Sequence, residues 1–364
     1  MAEHLYLHVP FCKSICYYCD FCHMAYNAVM AEKWLSALEK EFCLRTFSKD
    51  LKTIYIGGGT PSALTDEELE RVLQLLEPYS GRCEEYTIEV NPETVTQTKV
   101  NLFQNYGINR ISMGLQTSDD ALLSSIGRRH TFADVKAAVQ RLKQGGIDNI
   151  SLDIMYGLPH QTLSSLQKTV EDAVSLSPKH ISLYSLTIEE NSVFGKRGVQ
   201  PCDSDLEADM YDWIVEALPQ YGYDQYEISN FSLHGYESRH NKAYWYYKDF
   251  YGVSAGASGK QSHIRYDNTD NIAAYCLDPL LREEIPLTKE DEAFEMIMMS
   301  LRLVEGLDLQ RYAEVVGERF EVHYGEKCTK LIEEGLLETC DGHVRATKRG
   351  MKILNSVLVA LMDD

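Results

Sequence analysis

The sequence lacks any long apolar run free of charges, so no stretch of it reads as a membrane span. Its opening segment, MAEHLYLHVP, has neither a basic n-region nor an apolar h-region, and it does not have the Arg-rich, acid-poor look of an organelle transit peptide. A cytoplasmic setting is therefore expected. Positive charge is also scarce: 35 Lys and Arg stand against 55 Asp and Glu, a formal net charge of −20. Such a surface repels phosphate backbones, so nucleic acid is not expected as a partner, and direct docking on anionic lipid is disfavoured. There is no low-complexity segment and no long run of like charge.

What is present is ordinary globular material: 364 residues, 44% hydrophobic and 25% charged, more than one small domain needs. Ten cysteines would suggest disulfides in a short secreted chain, but this chain is long and shows no leader. Cys43, Cys83, Cys202, Cys276, Cys328 and Cys340 are scattered and read as buried thiols acting as small hydrophobes. Cys12, Cys16, Cys19 and Cys22 crowd into one short segment, and that crowding points to a metal site.

Short apolar strands alternate with amphipathic helices through the first half. Strands are predicted at 4–9, 53–57, 86–90, 110–114, 150–155 and 180–186, with helices at 31–42, 66–79, 132–144 and 165–176 between them. This rhythm predicts a parallel sheet of right-handed β-α-β crossovers. About six units imply an α/β fold, a complete or partial (β/α) barrel, with a doubly wound open sheet as the rival that periodicity does not exclude. Beyond residue 190 one more helix is read at 205–222, then an aromatic, glycine-containing stretch from 226 to 259. Helices at 289–303, 308–316 and 325–335, a hairpin turning at Asp341-Gly342 and a closing helix predict a small winged-helix-like α+β module. Its acidic surroundings suit packing or a lid better than DNA. The expected division is a barrel over 1–225, a connecting region over 226–285 and the C-terminal module over 286–364.

Cys12, Cys16 and Cys19 form C-x3-C-x2-C directly after the first strand. Thiolates are the usual ligands of iron–sulfur clusters, and three of them leave one iron of a [4Fe–4S] cluster open for another ligand. A structural zinc site would want a second pair at comparable spacing, and a redox dithiol needs only two of these cysteines. Cys22 is either a fourth ligand or a neighbouring thiol. Further polar residues fall near the ends of successive strands, where barrel enzymes place their sites: the Gly57-Gly58-Gly59-Thr60-Pro61-Ser62 turn, Glu89, Gln116 and Asp153, with Arg128 in a following loop. Each also has an ordinary explanation as a helix cap, a loop tie or a surface charge.

Taken together, the blocks YxHxPFC, GGGTPS, EVNPE, GLQ, GRRH and D-x2-YGLP resemble the coproporphyrinogen dehydrogenase branch of the radical S-adenosylmethionine (SAM) proteins, over nearly the whole chain. That resemblance implies a partial (β/α) barrel, a [4Fe–4S] cluster on Cys12, Cys16 and Cys19, and SAM contacts at Tyr6, Gly58, Gly59, Thr60, Glu89, Gln116, Arg128 and Asp153, with Tyr18 as a further contact. Two functions occur in the branch. The oxygen-independent coproporphyrinogen III oxidases decarboxylate propionates, whereas the HemW-type heme chaperones bind heme and pass it to apo-hemoproteins.

Three features resemble the chaperones. Few residues precede Tyr6, position 21 is Phe where the oxidases carry a cysteine, and His240-Asn241-Lys242-Ala243-Tyr244-Trp245 matches their HNxxYW heme motif. His240 is then the expected heme ligand, since a neutral imidazole is a good axial ligand and flat aromatic faces suit a porphyrin. The bland alternative is a packed aromatic patch. The resemblance leaves open a peripheral membrane partner and a heme-dependent homodimer.

Overall fold

A computed structural model describes residues 1–362. Six strands, β1 (His4–Val9), β2 (Thr53–Gly58), β3 (Glu85–Val90), β4 (Arg110–Gln116), β5 (Ile150–Tyr156) and β6 (His180–Ser185), pair in parallel and in chain order. The helices between them include α1 (Ala28–Leu44), α2 (Asp66–Ser80), α3 (Gln97–Asn105), α4 (Phe132–Gln144) and α5 (Leu163–Ser175). A doubly wound sheet reverses its strand order at a switch point. Here the order never reverses across β1 to β6, so the right-handed crossovers keep the helices on one face and the sheet curls into an open barrel.

Side-chain alternation matches that curvature. Ile111, Met113 and Leu115 of β4, and Ile181 and Leu183 of β6, are buried in the main core, whereas Arg110, Ser112, Gly114 and Gln116, and His180, Ser182 and Tyr184, line a central cavity. Successive strand residues point to opposite faces, so one face packs on helices and the other stays polar. The helices answer with apolar stripes at helical spacing, such as Leu69, Val72, Leu73 and Leu76 of α2. Their starts are fixed by capping boxes, Thr65 with Glu68 and Thr131 with Asp134, which satisfy otherwise orphaned N–H groups.

Residues 205–222 are not one α-helix. α6 runs Ser204–Ala217 and then tightens to a 3-10 turn at Leu218–Tyr221, where Pro219 has no N–H to continue the ladder. The stretch from 226 onward is woven into the barrel at both edges. β8 (Asn230–Ser232) adds antiparallel to β6 and β7 (Asp224–Glu227) antiparallel to β8, while β9 (Tyr251–Val253) pairs in parallel with β1. Between them lies α7 (Arg239–Trp245), which carries the HNKAYW segment. A three-stranded sheet follows, Ser258–Gln261, Ile264–Asn268 and Arg282–Pro286, which the sequence pattern did not reveal.

The C-terminal region builds a second core around Met296, Leu301, Tyr312, Phe320, Leu331 and Val357. Its elements are helices Lys289–Ser300, Leu309–Val316 and Phe320–Glu333, a hairpin of Leu337–Cys340 with His343–Ala346, and a last helix Leu354–Met362. Tyr247, just past α7, belongs to this second core. The backbone of Tyr226 and Ile228 bonds to Val304 and Arg302, so the module is tied to the barrel's edge. No helix among the described residues is long and apolar enough to cross a membrane.

Candidate functional site

The open barrel encloses a cavity of about 490 Å³ that runs from the cysteine loop at the carboxyl ends of the strands down to Ser238 and Asn241. Its upper wall is the loop after β1. Cys12, Cys16 and Cys19 all line it, and Cys22 does not. The Cys22 thiol instead donates to the Asp270 carbonyl at 3.1 Å. In this structure three sulfurs address the cavity and the fourth is engaged elsewhere.

The strand before the loop acts as a brace. Tyr6 lies off the cavity wall, and its hydroxyl bonds His8 Nδ1 at 3.0 Å while His8 Nε2 bonds the Cys22 carbonyl at 2.7 Å. Burial holds His8 in its neutral form, and a carbonyl can only accept, so Nε2 donates and Nδ1 accepts from Tyr6. Tyr6, expected as a SAM contact, braces the loop through His8, and its ring stands beside that of Tyr55 on the cavity wall.

Burial pushes the Cys12 thiol up to about 11 and the Cys19 thiol up to about 12, with Thr60 and the Arg128 cation opposing the shift at Cys12. Thiols so raised are protonated until a metal claims them, because coordination deprotonates the sulfur. Among the described residues no three His, Cys, Asp or Glu groups are gathered tightly enough for a single metal ion. A four-iron cluster takes its thiolates at separate corners, further apart than the ligands of a single ion, and Cys12, Cys16 and Cys19 line one cavity wall. A Cβ at Gly59 would stand 2.9 Å from the Phe11 carbonyl and 3.0 Å from Cys12 Sγ, so only glycine lets the β2 turn close against the loop.

The remaining predicted residues come together below the loop. Gly58, Gly59, Thr60, Glu89, Gln116, Arg128, Asp153 and Tyr18 all line the cavity. Glu89 accepts from the Tyr55 hydroxyl at 2.7 Å and from the Gly58 amide at 3.2 Å. Burial, with Asp153 nearby, still raises its carboxyl to about 7. Arg128 donates to the Tyr18 hydroxyl at 2.8 Å and to Asn91 Oδ1 at 2.7 Å, and its Nε has no partner. Asp153 accepts from Ser112 at 2.9 Å.

Gln116 sits at φ 64°, unusual for a residue with a side chain, at a bulge between β4 and β5. Strain of this kind persists where the surroundings hold a side chain in place for use. Gly114 makes room: a Cβ there would lie 2.9 Å from the Gln116 amide nitrogen and 3.2 Å from an Arg128 terminal nitrogen.

A sulfonium amino acid with a carboxylate and an ammonium needs a cation, a carboxylate and exposed backbone groups, and the wall supplies all three. The donor set therefore fits both a cluster and SAM. Bound there, the cluster would supply one-electron chemistry, while the chain's own residues orient SAM and keep water out.

His240 is elsewhere. It is 1% exposed at the foot of the barrel, stacked on Tyr55, with Nδ1 2.7 Å from Thr53 Oγ1 and Nε2 2.8 Å from the Tyr244 hydroxyl. Burial drives its imidazole down to about 3, so it is neutral. Both ring nitrogens are engaged, and of the motif it is Asn241 that touches the cavity. The expected iron ligand is thus closed in this conformation, because the same hydrogen bonds that fix α7 occupy it.

Sequence reasoning passed over Tyr55, Asn91, Arg110, Ser112, His180, Ser182 and Tyr184, all on the cavity wall. The signal was available. Buried parallel strands normally read as continuous apolar runs, so polar residues at every second position mark a wet interior face.

Residues 6–173 match the model of the radical SAM superfamily, and residues 287–353 match the HemN C-terminal domain. The heme chaperone HemW of Lactococcus lactis is 38% identical, over 99% of this chain and 97% of that protein. The heme chaperone HemW of Bacillus subtilis is 35% identical over 99% of each. The chain belongs to the HemW family. HemW of Escherichia coli is 31% identical over 97% of this chain and 96% of its own length. Among solved structures, coproporphyrinogen III oxidase HemN from Escherichia coli, a radical SAM enzyme, superposes with a TM-score of 0.86 over 99% of this chain and 90% of that one. At 21% identity that likeness shows the shared fold alone, and HemW membership rests on the sequence relatives.

Proposed function

We propose that this chain is a heme chaperone: it binds heme and transfers it to apo-hemoproteins, carrying a [4Fe–4S] cluster on Cys12, Cys16 and Cys19 and SAM against Glu89, Gln116, Arg128 and Asp153. The observation that carries the reading is full-length similarity to proteins named heme chaperones, joined to the HNKAYW helix packed between the barrel and the C-terminal module. The heme element is α7, with His240 as the iron ligand. Ligation then requires α7 to release the Thr53 and Tyr244 bonds, so heme capture and opening of the barrel foot are one event. A cytoplasmic setting, self-association on heme and recruitment by a peripheral membrane protein belong to the same reading. Light scattering with and without heme decides the second of these.

The test is a heme titration of the anaerobically reconstituted protein, followed by absorbance, beside a coproporphyrinogen III decarboxylation assay. Stoichiometric heme binding without decarboxylation supports the chaperone. Decarboxylation with no heme binding hands the function to the oxidase reading. A His240→Ala variant that binds heme with unchanged affinity and spectrum removes His240 as the ligand.

A further inference from the structure

Arg110, at the first position of β4, has no role in the site described so far. It is 3% exposed and lines the lower part of the SAM cavity. Its side chain makes one hydrogen bond, from Nη1 to the Tyr236 carbonyl at 3.2 Å, and its Nε has no partner. No ion pair forms to it among the described residues. The carboxylate in its field, Asp153, is engaged by Ser112, Ser151 and Ser182.

Buried cations are normally paired, because withdrawing a charge from water without a counter-charge is costly. The partly buried Arg45 follows that rule with the fully buried Glu41 at 2.5 Å. Among the described residues Arg110 and the partly buried Arg128 have no ion pair and line the same cavity, whereas the buried Lys99, also without one, sits away from it on the Ser62 carbonyl. SAM has a single carboxylate, and Arg128 lies beside the cysteine loop and Tyr18 to meet it. Arg110 starts β4 four residues before Gly114, against which Arg128 packs, about 13 Å along the strand. One carboxylate does not serve both.

We infer that the lower lumen is a second ligand subsite, in which the Arg110 guanidinium receives the carboxylate of a molecule bound together with SAM. The neighbours fit a monoanion. Ser182, Ser238 and Asn241 offer neutral polar groups around it, while the Asp153 carboxylate disfavours a dianion such as phosphate. A planar guanidinium fork also matches a carboxylate bidentately. The Arg110 guanidinium and Ser182 of the subsite lie on the barrel strands, and only Ser238 and Asn241 come from α7 and its N-cap.

Propionate is the probe, and thermal unfolding of the full-length, cluster-reconstituted protein is the readout, with chloride or phosphate at matched ionic strength as references. Propionate is expected to raise the wild-type midpoint above both references, by mass action on the native state. Arg110→Met should keep a midpoint at or above the wild-type value in chloride, because an unpaired buried charge has gone, and should lose the propionate response. Arg128→Met should keep that response while SAM binding falls. The inference is overturned if propionate leaves the wild type unmoved, if it shifts wild type and Arg110→Met equally, or if phosphate stabilises as well as propionate. It is also overturned if Arg110→Met and Arg110→Lys both unfold below the wild-type midpoint in chloride, since Arg110 would then be structural.

Discussion

The two ends of one lumen treat polar side chains in opposite ways. At the upper end, under the cysteine loop, groups are left with capacity to spare: three unbridged thiols, of which Cys12 takes only a long bond from Thr60 and Cys19 one with His23, the Arg128 Nε and the strained Gln116. Around the start of α7 at the foot most capacity is used internally, with the His4 Nε2 and the Arg110 Nε as exceptions. His4 and His240 share Thr53, His240 holds Tyr244, and Glu85 accepts the Arg239 and His240 amides at 2.9 Å each. Buried polar groups are expensive unless satisfied, so the closed network around α7 is architecture, and unsatisfied groups such as the Arg128 and Arg110 Nε mark places prepared for something else. Which residues bind is therefore better read from what a side chain lacks than from what type it is.

The sharpest way to break this comparison is at the cysteines. Cys12→Ser, Cys16→Ser or Cys19→Ser should abolish the visible absorbance of the reconstituted cluster, while Cys22→Ser retains it. A Cys22→Ser protein that cannot hold the cluster would place that thiol among the ligands after all.

At the foot, Glu85→Ala strands two buried amides at the start of α7. It should cost about 3 kcal/mol of stability in urea unfolding, on the usual scale of about 1–3 kcal/mol per unsatisfied buried group. SAM affinity should change little. At the upper end the pattern inverts: Arg128→Met should weaken SAM binding by about thirtyfold, roughly 2 kcal/mol for a lost charge-assisted bond, as read by equilibrium dialysis. If Glu85→Ala proved the more damaging to SAM binding, the two ends would not be separable.

The smallest effect lies in pH. The His240 imidazole falls from an ordinary 6.5 to about 3, and those of His4 and His130 to about 4, chiefly through burial. Each is neutral in both states above 6.5. As pH falls below that value the unfolded chain takes up protons that the folded one refuses, so stability declines from 6.5 toward about 3. His240→Gln should flatten part of that decline in unfolding midpoints collected from pH 7 to 4. An equally steep profile would show that His4 and His130 account for it.

Much of this was legible in the chain. The six barrel strands, the helices between them and the triad Cys12, Cys16 and Cys19 follow from alternating apolar pattern and local spacing. Glu89, Gln116 and Asp153 were found because they stand near the ends of strands that could be located. The strands of 258–286 were missed because Gly259, the Asp267-Asn268 pair and Arg282-Glu283-Glu284 carry no apolar alternation. Tyr6 was expected on SAM from its motif, and a motif gives an order of residues and no depth; in the structure its ring stands 6.1 Å from that of Tyr55 on the cavity wall. Whether a side chain lines a cavity or braces the loop behind it depends on β1 and His8 together.

The sequence by itself determined the parallel α/β framework, the cluster loop and the family. Periodicity sets which face of a strand or helix is buried, and three cysteines within a few residues must converge on one loop. Only the tertiary structure decided that the sheet curls around a polar lumen, that Cys22 turns away from it, that His240 is locked by Thr53 and Tyr244, and that Arg110 has no counter-charge. The physical reason is the same in each case. Hydrogen-bond satisfaction and ion pairing are settled between residues distant in the chain, 187 positions apart for Thr53 and His240, and no local pattern records them.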